Sequence, residues 1–343
     1  MQIAVTGASG FIGAEIVRVL LDRGHTVHGT VRDLNNDQKT EPLKALGGAQ
    51  DRLLLFEANL LDEASFDEAF DGCDIVMHVA SPYVIDVEDA QRDLVDPAVQ
   101  GPRAVMLAAA RCGVRRVVLT SSSAAITDEP EDRIYTEEDW NSKSSLSRNP
   151  YSYSKTLAER SAWDFVDAES PSFDLVVINP VGVIGPSVTS GVNTTSRVIM
   201  DLLNGGVYPA IIDMAFPLVD VRDVAEAHVR AAESPDASGR YICANEIVPI
   251  ERTVAVLRNN GFDGYKLPRM KMTSSAGSFI VKQAARFQPH GSRSFIETNL
   301  GRRLNLDTSK IVDELGIEFG DIDQSIVDTA NDLIQWGHVK PRA

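Results

Sequence analysis

Tyr151 and Lys155 stand four residues apart in Tyr-Ser-Tyr-Ser-Lys, a spacing that puts both side chains on one face of a helix. A phenol with a pKa near ~10 is a poor proton donor or acceptor at neutral pH. An ammonium beside it favours the phenolate and brings proton transfer towards the working range. Tyr153 is only two residues from Lys155 and would face away from it, so Tyr151 is the expected acid. Upstream, Ser121, Ser122 and Ser123 follow the run Arg116-Val-Val-Leu-Thr120, and a hydroxyl there can hold a carbonyl or alcohol oxygen.

A second set of residues prepares a place for a nucleotide. Gly7, Gly10 and Gly13 follow Ile3-Ala-Val5 at three-residue spacing. A helix begins inside that spacing, with an apolar face from Phe11 to Leu21 and Gly24 as its C′ residue. Strand, glycine turn and helix N-terminus aim free amide N–H groups and the positive end of the helix dipole at one spot. Gly7 lets the chain turn, Gly10 lets the backbone approach a diphosphate, and Gly13 lets the helix pack close to the strand. At the end of the second strand, Gly29-Thr-Val-Arg-Asp33, Arg32 is set to pair with the extra phosphate of NADP, and Lys39 follows within reach. Asp33 can instead accept from the ribose of NAD. NADP(H) is the expected cofactor and NAD(H) the alternative. With a nicotinamide in place, these groups suit carbonyl reduction, in which Tyr151 gives the proton and Lys155 tunes the phenol and holds the ribose.

These residues need a frame. Strand-like runs at 26–31, 53–56, 74–79, 116–120 and 174–178 follow the first one. Helix-like stretches at 63–70, 98–111 and 154–168 lie among them. Such alternation implies an α/β fold, a doubly wound parallel sheet of Rossmann type with helices on both faces. After Asn179-Pro180, glycine, proline and short apolar runs interleave, with late helices near 221–232, 250–260, 308–315 and 323–336. This part reads as a smaller substrate-binding region over the carboxyl ends of the strands. The expected division is 1–180 for the dinucleotide and the catalytic residues, and 181–343 mainly for the substrate, with segments such as 218–245 returning to the first part. The stretch 127–140 holds seven Asp or Glu and reads as a solvated acidic loop.

A chain of 343 residues, 43 % hydrophobic and 24 % charged, is long enough for a large core. Its net charge of −16 argues against nucleic acid or an anionic membrane as partner. Cys73, Cys112 and Cys243 are widely spaced, without a CxxC, and read as thiols in a reducing compartment, not as disulfides or a metal site. No apolar stretch approaches the ~20 residues of a membrane span, and the first strand leaves no room for a leader. A cytoplasmic location follows as the expectation.

The motifs Thr6-Gly-Ala-Ser-Gly-Phe-Ile-Gly13, His78-Val-Ala-Ser-Pro82, Tyr151-x-x-x-Lys155 and Asn179-Pro-Val-Gly-Val-Ile-Gly-Pro186 together resemble an extended short-chain dehydrogenase/reductase. Thr30-Val-Arg-Asp33, Ser154-Lys-Thr-Leu-Ala-Glu-Arg-Ser-Ala-Trp163, Leu218-Val-Asp-Val-Arg-Asp-Val-Ala225 and Leu306-Asp-Thr-Ser-Lys-Ile311 narrow the resemblance. It falls in the branch of dihydroflavonol 4-reductase, cinnamoyl-CoA reductase and yeast-type aldehyde/ketone reductases, and it covers nearly the whole chain. The resemblance implies cofactor contacts at Gly7, Ser9, Gly10, Phe11, Ile12, Gly13, Arg32 and Lys39. It also implies them at Asn59 and Leu60 near adenine, Val79, Ala80 and Ser81 along the ribose, Ser121, Tyr151 and Lys155, and Pro180 and Val183 beside the nicotinamide. It selects Ser122 as the catalytic serine, with Ser123 as runner-up. The substrate would meet Tyr83, Ser123, Ile126, Val188, Val192 and Phe216, with Phe279 a weaker candidate. These are mostly apolar and suit an aromatic or branched aliphatic carbonyl.

Two departures stand out. Asn59 replaces the usual Asp, and Gly101-Pro-Arg103 replaces Gly-Thr, where Pro102 removes a backbone donor and predicts a local bend. The leading expectation is an oxidoreductase of the alcohol dehydrogenase/ketoreductase type, an NADPH-dependent reductase of aldehydes or ketones. A cinnamoyl-CoA-type acyl-CoA reductase is the runner-up, disfavoured by the lack of a basic cluster for CoA phosphates. A sugar-nucleotide epimerase/dehydratase or a non-catalytic NADP-sensing protein are the remaining alternatives. The chain would be a monomer or homodimer. Leu94, Val99, Val105 and Leu107 with Leu157, Ala158, Trp163 and Phe165 would form either a helix-pair interface or core.

Overall fold

Ile3, Ala4 and Val5 are fully buried, and the strand they form, Gln2–Thr6, sits inside a sheet covered on both faces, as parallel strands must be. The structure, a computed structural model, describes residues 1–81, 89–206, 210–287 and 290–342. Seven parallel strands run in the order Gly239–Cys243, Asp174–Pro180, Arg116–Thr120, Ile75–His78, Gln2–Thr6, Thr26–Val31, Leu53–Glu57. The winding leaves Gln2–Thr6 first towards Leu53–Glu57 and then reverses to Ile75–His78. That reversal opens a crevice at the carboxyl ends of the strands, where ligands bind in such sheets.

One face is packed by Ile3, Val5, Ile16, Leu20, Val224 and their neighbours, the other by Ala4, Phe66, Phe70, Val105 and Phe165. The second half of the chain gives the sheet an edge strand: Gly239–Cys243 pairs in register with Val176–Pro180. The helix before it, Val221–Glu233, packs on Phe11–Asp22. A third apolar cluster, including Ile199, Leu202, Val254, Leu257, Ile326 and Leu333, belongs to the second half alone. There Ala215–Asp220 pairs antiparallel with Glu246–Pro249 and parallel with Gly182–Ile184.

Several elements differ from the expectation. The helix carrying the tyrosine and lysine is Pro150–Glu169 and begins four residues before 154. Asn149 stands at φ 52 and accepts from the Ser152 N–H at 3.3 Å, and Pro150 takes the first turn, where its missing donor costs nothing. The stretch 63–70 is a 3₁₀ turn, Glu63–Phe66, followed by one helical turn, Asp67–Phe70. The helix Asp96–Arg111 runs on through Pro102, and the departure from α geometry lies before it, in the π-helical turn Gln91–Val95. This helix packs on Pro150–Glu169 within one chain, so Leu94, Val105 and Phe165 are core. The acidic stretch is not wholly a solvated surface. Ile134–Tyr135 pairs with Asn305–Leu306, and Glu129 gathers Arg148 at 2.7 Å, Arg302 at 2.6 Å and Lys143 at 3.3 Å. These cations, Arg148 foremost, hold its carboxyl down at about 2. Among the described residues, no helix is long and apolar enough to cross a membrane.

Candidate active site

The glycine turn is tight because its neighbours allow nothing larger. Gly7 adopts φ +67, and a Cβ there would lie 3.0 Å from the Ala80 backbone. A Cβ on Gly13 would lie 2.3 Å from the Gly7 carbonyl oxygen, so the helix sits directly on the turn. No side chain caps that helix at Gly10, and its first turn holds no acidic residue. The cradle is therefore suited to an anionic diphosphate. Thr189, fully buried, donates to the Ser9 carbonyl at 3.3 Å, so a loop from the second half of the chain reaches this turn. Trp336 and His338 hold the same loop, donating to the carbonyls of Ser187 at 3.3 Å and Ser190 at 2.8 Å.

Arg32 and Asp33 end the strand Thr26–Val31 and behave differently. Asp33 Oδ1 accepts from the Asn35 N–H at 2.9 Å, so one of its carboxylate oxygens is engaged by its own loop. Arg32 is exposed and, among the described residues, has neither hydrogen bond nor ion pair. Lys39 lies beside Gly191 of the loop that Thr189 anchors. Asn59 is exposed and closes a turn by accepting from the Leu61 N–H at 3.1 Å, while Leu60 packs against Gly101.

Lys155 lies at the centre of the cluster. It is 8 % exposed, and its Nζ donates to Ser81 Oγ at 2.9 Å while lying 6.0 Å from the Tyr151 ring centre. Burial pushes its ammonium down to about 8, opposed by the charge of Glu159. The strand end carrying Ser81 is held from below by Thr6, whose hydroxyl oxygen accepts from the N–H groups of Val79 and Ala80 at 3.1 Å each. The hydroxyl hydrogen is then left for His78 Nδ1 at 2.8 Å. His78 is neutral, because burial and then the charge of Lys155 push it down to about 3.

The three serines divide. Ser121 donates to the buried Glu159 carboxylate, which commits its hydroxyl hydrogen. Ser122 Oγ accepts from the Ala124 N–H at 3.2 Å and caps the 3₁₀ turn Ser123–Ala125, leaving its hydrogen to donate elsewhere. Asn141 Nδ2 donates to the Ala124 carbonyl at 2.8 Å and Asn179 Nδ2 to the Ser122 carbonyl at 3.2 Å, so the turn is fixed. Ser123 is half-buried.

The residues expected around a substrate scatter more. Ile126 is 1 % exposed and packs in the main core just after the serine turn. Val183 is likewise core, and Pro180 is buried at its strand end. Val188 packs against the main core, and Val192 and Phe216 against the second-half cluster. Phe279 is 63 % exposed, and Tyr83 lies outside the described residues. Sequence reasoning missed Thr6, His78, Asn179, Thr189 and Glu159. Thr6, His78 and Asn179 open motifs quoted above, and Glu159 is the next residue on the Tyr151–Lys155 face, whereas Thr189 carried no signal.

A family model described as the NAD dependent epimerase/dehydratase family matches residues 3–244. The chain is 42 % identical over 267 residues to the Medicago truncatula cinnamoyl-CoA reductase CAD2, covering 75 % of this chain and 79 % of that one. It is 37 % identical to the Petunia hybrida cinnamoyl-CoA reductase 1 over 98 % of this chain and 93 % of that one. Among solved structures, yeast methylglyoxal/isovaleraldehyde reductase Gre2, complexed with NADPH, superposes with a TM-score of 0.78 at 28 % identity, covering 98 % of this chain and 99 % of that one.

Proposed function

The chain belongs to the NAD dependent epimerase/dehydratase family, and on that premise we propose that it is an NADPH-dependent reductase of aldehydes or ketones on aromatic or branched carbon skeletons. The observation that carries this reading is the buried Lys155, held by Ser81 and set beside Tyr151. Gly7, Gly10 and Gly13 with the uncapped helix hold the cofactor's diphosphate. Arg32, unpaired at its strand end, takes the 2′-phosphate, with Lys39 nearby. When bound, NADPH supplies the hydride. Tyr151 donates its phenolic proton to the carbonyl oxygen, and Ser122 donates a hydrogen bond to the same oxygen and orients it. Lys155, as an ammonium, favours the phenolate left behind. Val188, Val192 and Phe216 furnish apolar surface for the rest of the substrate.

The identity to cinnamoyl-CoA reductases favours a second reading, a thioester of coenzyme A as substrate. The basic groups near the serine turn speak against it. Lys143, Arg148 and Arg302 are occupied by Glu129, and Arg303 by Asp213 at 2.6 Å, which leaves them committed when a CoA phosphate arrives. Loss of NADPH and NADH absorbance against aldehydes, ketones, diketones and hydroxycinnamoyl-CoA thioesters tests both. Turnover of free carbonyls with NADPH supports the proposal. Turnover of thioesters alone replaces it with the second reading.

A further inference from the structure

Tyr151, Lys155 and Glu159 succeed one another every fourth residue along Pro150–Glu169, yet the third of them has no part in the mechanism above. Glu159 is 1 % exposed and Arg240 is buried beside it. Arg240 Nε donates to Glu159 Oε1 at 2.5 Å, while Asn179 Nδ2 donates to Oε2 at 2.7 Å and the Ser121 hydroxyl to the same oxygen. Arg240 in turn stacks on Trp140 at 3.9 Å and donates to the carbonyls of Glu137 and Asp139 at 2.7 Å each. One buried carboxylate thus ties the catalytic helix to the strand ends carrying Ser121 and Asn179 and to the edge strand Gly239–Cys243. Such a pair is weak as a source of stability, since apolar replacements are often neutral or better. Its consequence lies in what it adjoins. A small cavity lies between Glu159 and Lys155, bounded also by His78, Ser81, Thr120 and Ser121. The residues facing it from the helix Asp96–Arg111, Ala98 and Pro102, carry no charge, and His78 is neutral. Tyr151 faces Lys155 from the same helix, and Arg240 faces the far oxygen of the carboxylate. Among the described residues, Glu159 is the one acid lining this cavity.

We propose that Glu159 is a positioning residue: its carboxylate, clamped by Arg240, holds the serine strand end against the catalytic helix and sets a fixed negative charge across the cavity from Lys155. The readout in turnover rests on the carbonyl-reductase reading; the physical basis does not.

Glu159→Gln keeps the shape and removes the charge, so Lys155 titrates roughly one pH unit lower. The alkaline limb of kcat/KM moves down by the same amount. Turnover relative to the parent then falls about tenfold at pH 9 and stays within about threefold at pH 6. Glu159→Asp retains the charge and restores the limb. The lysine titration is read without any substrate by NMR of protein carrying ¹³C at lysine Cε, with Lys155→Arg assigning the signal. Should Glu159→Gln fail to fold with Arg240 unpaired, the double variant Glu159→Gln/Arg240→Gln leaves neither charge alone and is read for a smaller downward shift, because the guanidinium lost with the carboxylate lies on its far oxygen. An unmoved Lys155 titration overturns the proposal, whatever turnover does. A moved titration in a protein that reduces no carbonyl overturns the carbonyl-reductase reading and leaves this inference standing.

Discussion

Replacing Gly13 by alanine tests the cofactor cradle through a single methyl group. The new Cβ would lie 2.3 Å from the Gly7 oxygen and 3.0 Å from the Gly7 carbonyl carbon, where ordinary contact begins at 3.4 Å. The shortfall against that oxygen is about 1 Å. Gly7 cannot yield, because a group only one carbon larger would itself press on the Ala80 backbone at 3.0 Å. The helix Phe11–Asp22 must therefore withdraw, carrying its N-terminal N–H groups out of range. Overpacking of this size costs about 1–3 kcal/mol of stability, and a ~1 Å misplacement of binding groups costs of order a hundredfold. The Kd for NADPH, followed by fluorescence titration, is expected to rise at least about tenfold. Turnover at saturating NADPH should fall less, because Tyr151 and Ser122 stand on other elements. Gly10→Ala, with a contact of 3.1 Å to the same oxygen, should be milder. A Gly13→Ala protein that binds NADPH within about threefold of the parent refutes the close-packing argument.

Other outcomes follow from the same geometry. Arg32→Ser removes an unpaired guanidinium, and a charge-assisted bond worth about 1.5–3 kcal/mol predicts a KM for NADPH raised roughly tenfold to a hundredfold. NADH kinetics should be unchanged, and an unaltered NADPH/NADH ratio refutes the assignment. Ser122→Ala is expected to lower kcat by roughly a hundredfold, while Ser123→Ala stays within about threefold; the reverse pattern moves the role to Ser123. Activity should fall as pH rises through about 8, where buried Lys155 loses its proton. Stability moves the other way. Between about 8 and 10.5 the unfolded chain keeps a proton that the folded one has released, so the contribution of Lys155 to stability improves as pH rises. Apo Lys155→Met should melt higher than the parent at pH 7, with the margin shrinking by pH 10. A margin that grows with pH contradicts the assigned direction.

The parts of the fold legible in the sequence are those set by local pattern. Ile3-Ala-Val5 with Gly7, Gly10 and Gly13 announces strand, turn and helix because each glycine has a steric duty that no other residue meets. The strands at 26–31 and 116–120 are proline-free runs rich in β-branched residues, and they occur where expected. The start of Pro150–Glu169 was misjudged because Asn149 caps it in a left-handed conformation, a backbone state that asparagine permits without announcing. The helix Thr194–Asn204 was not anticipated, although Asn193 caps it through the Ser196 N–H at 2.7 Å. Ile199, Leu202 and Leu203 do share one buried face, but the helix is short and lies between stretches broken by glycine and proline, which mask it as a separate element. Within the site, Tyr151 and Lys155 are neighbours along one helix and their spacing suffices. The Glu159–Arg240 pair spans 81 residues, and Thr6 meets His78 only through the sheet register. Contacts made by tertiary pairing leave no local pattern to read. The acidic stretch shows the same limit, since its Glu129 is neutralised by cations as distant as Arg302.

The account stands most directly on the phenol. In Tyr151→Phe, NADPH oxidation against the carbonyls that the parent reduces should fall by at least about a hundredfold. The Kd for NADPH, held by the glycine turn and Arg32, should stay within about threefold. A Tyr151→Phe protein that keeps full activity on every one of those carbonyls contradicts the account.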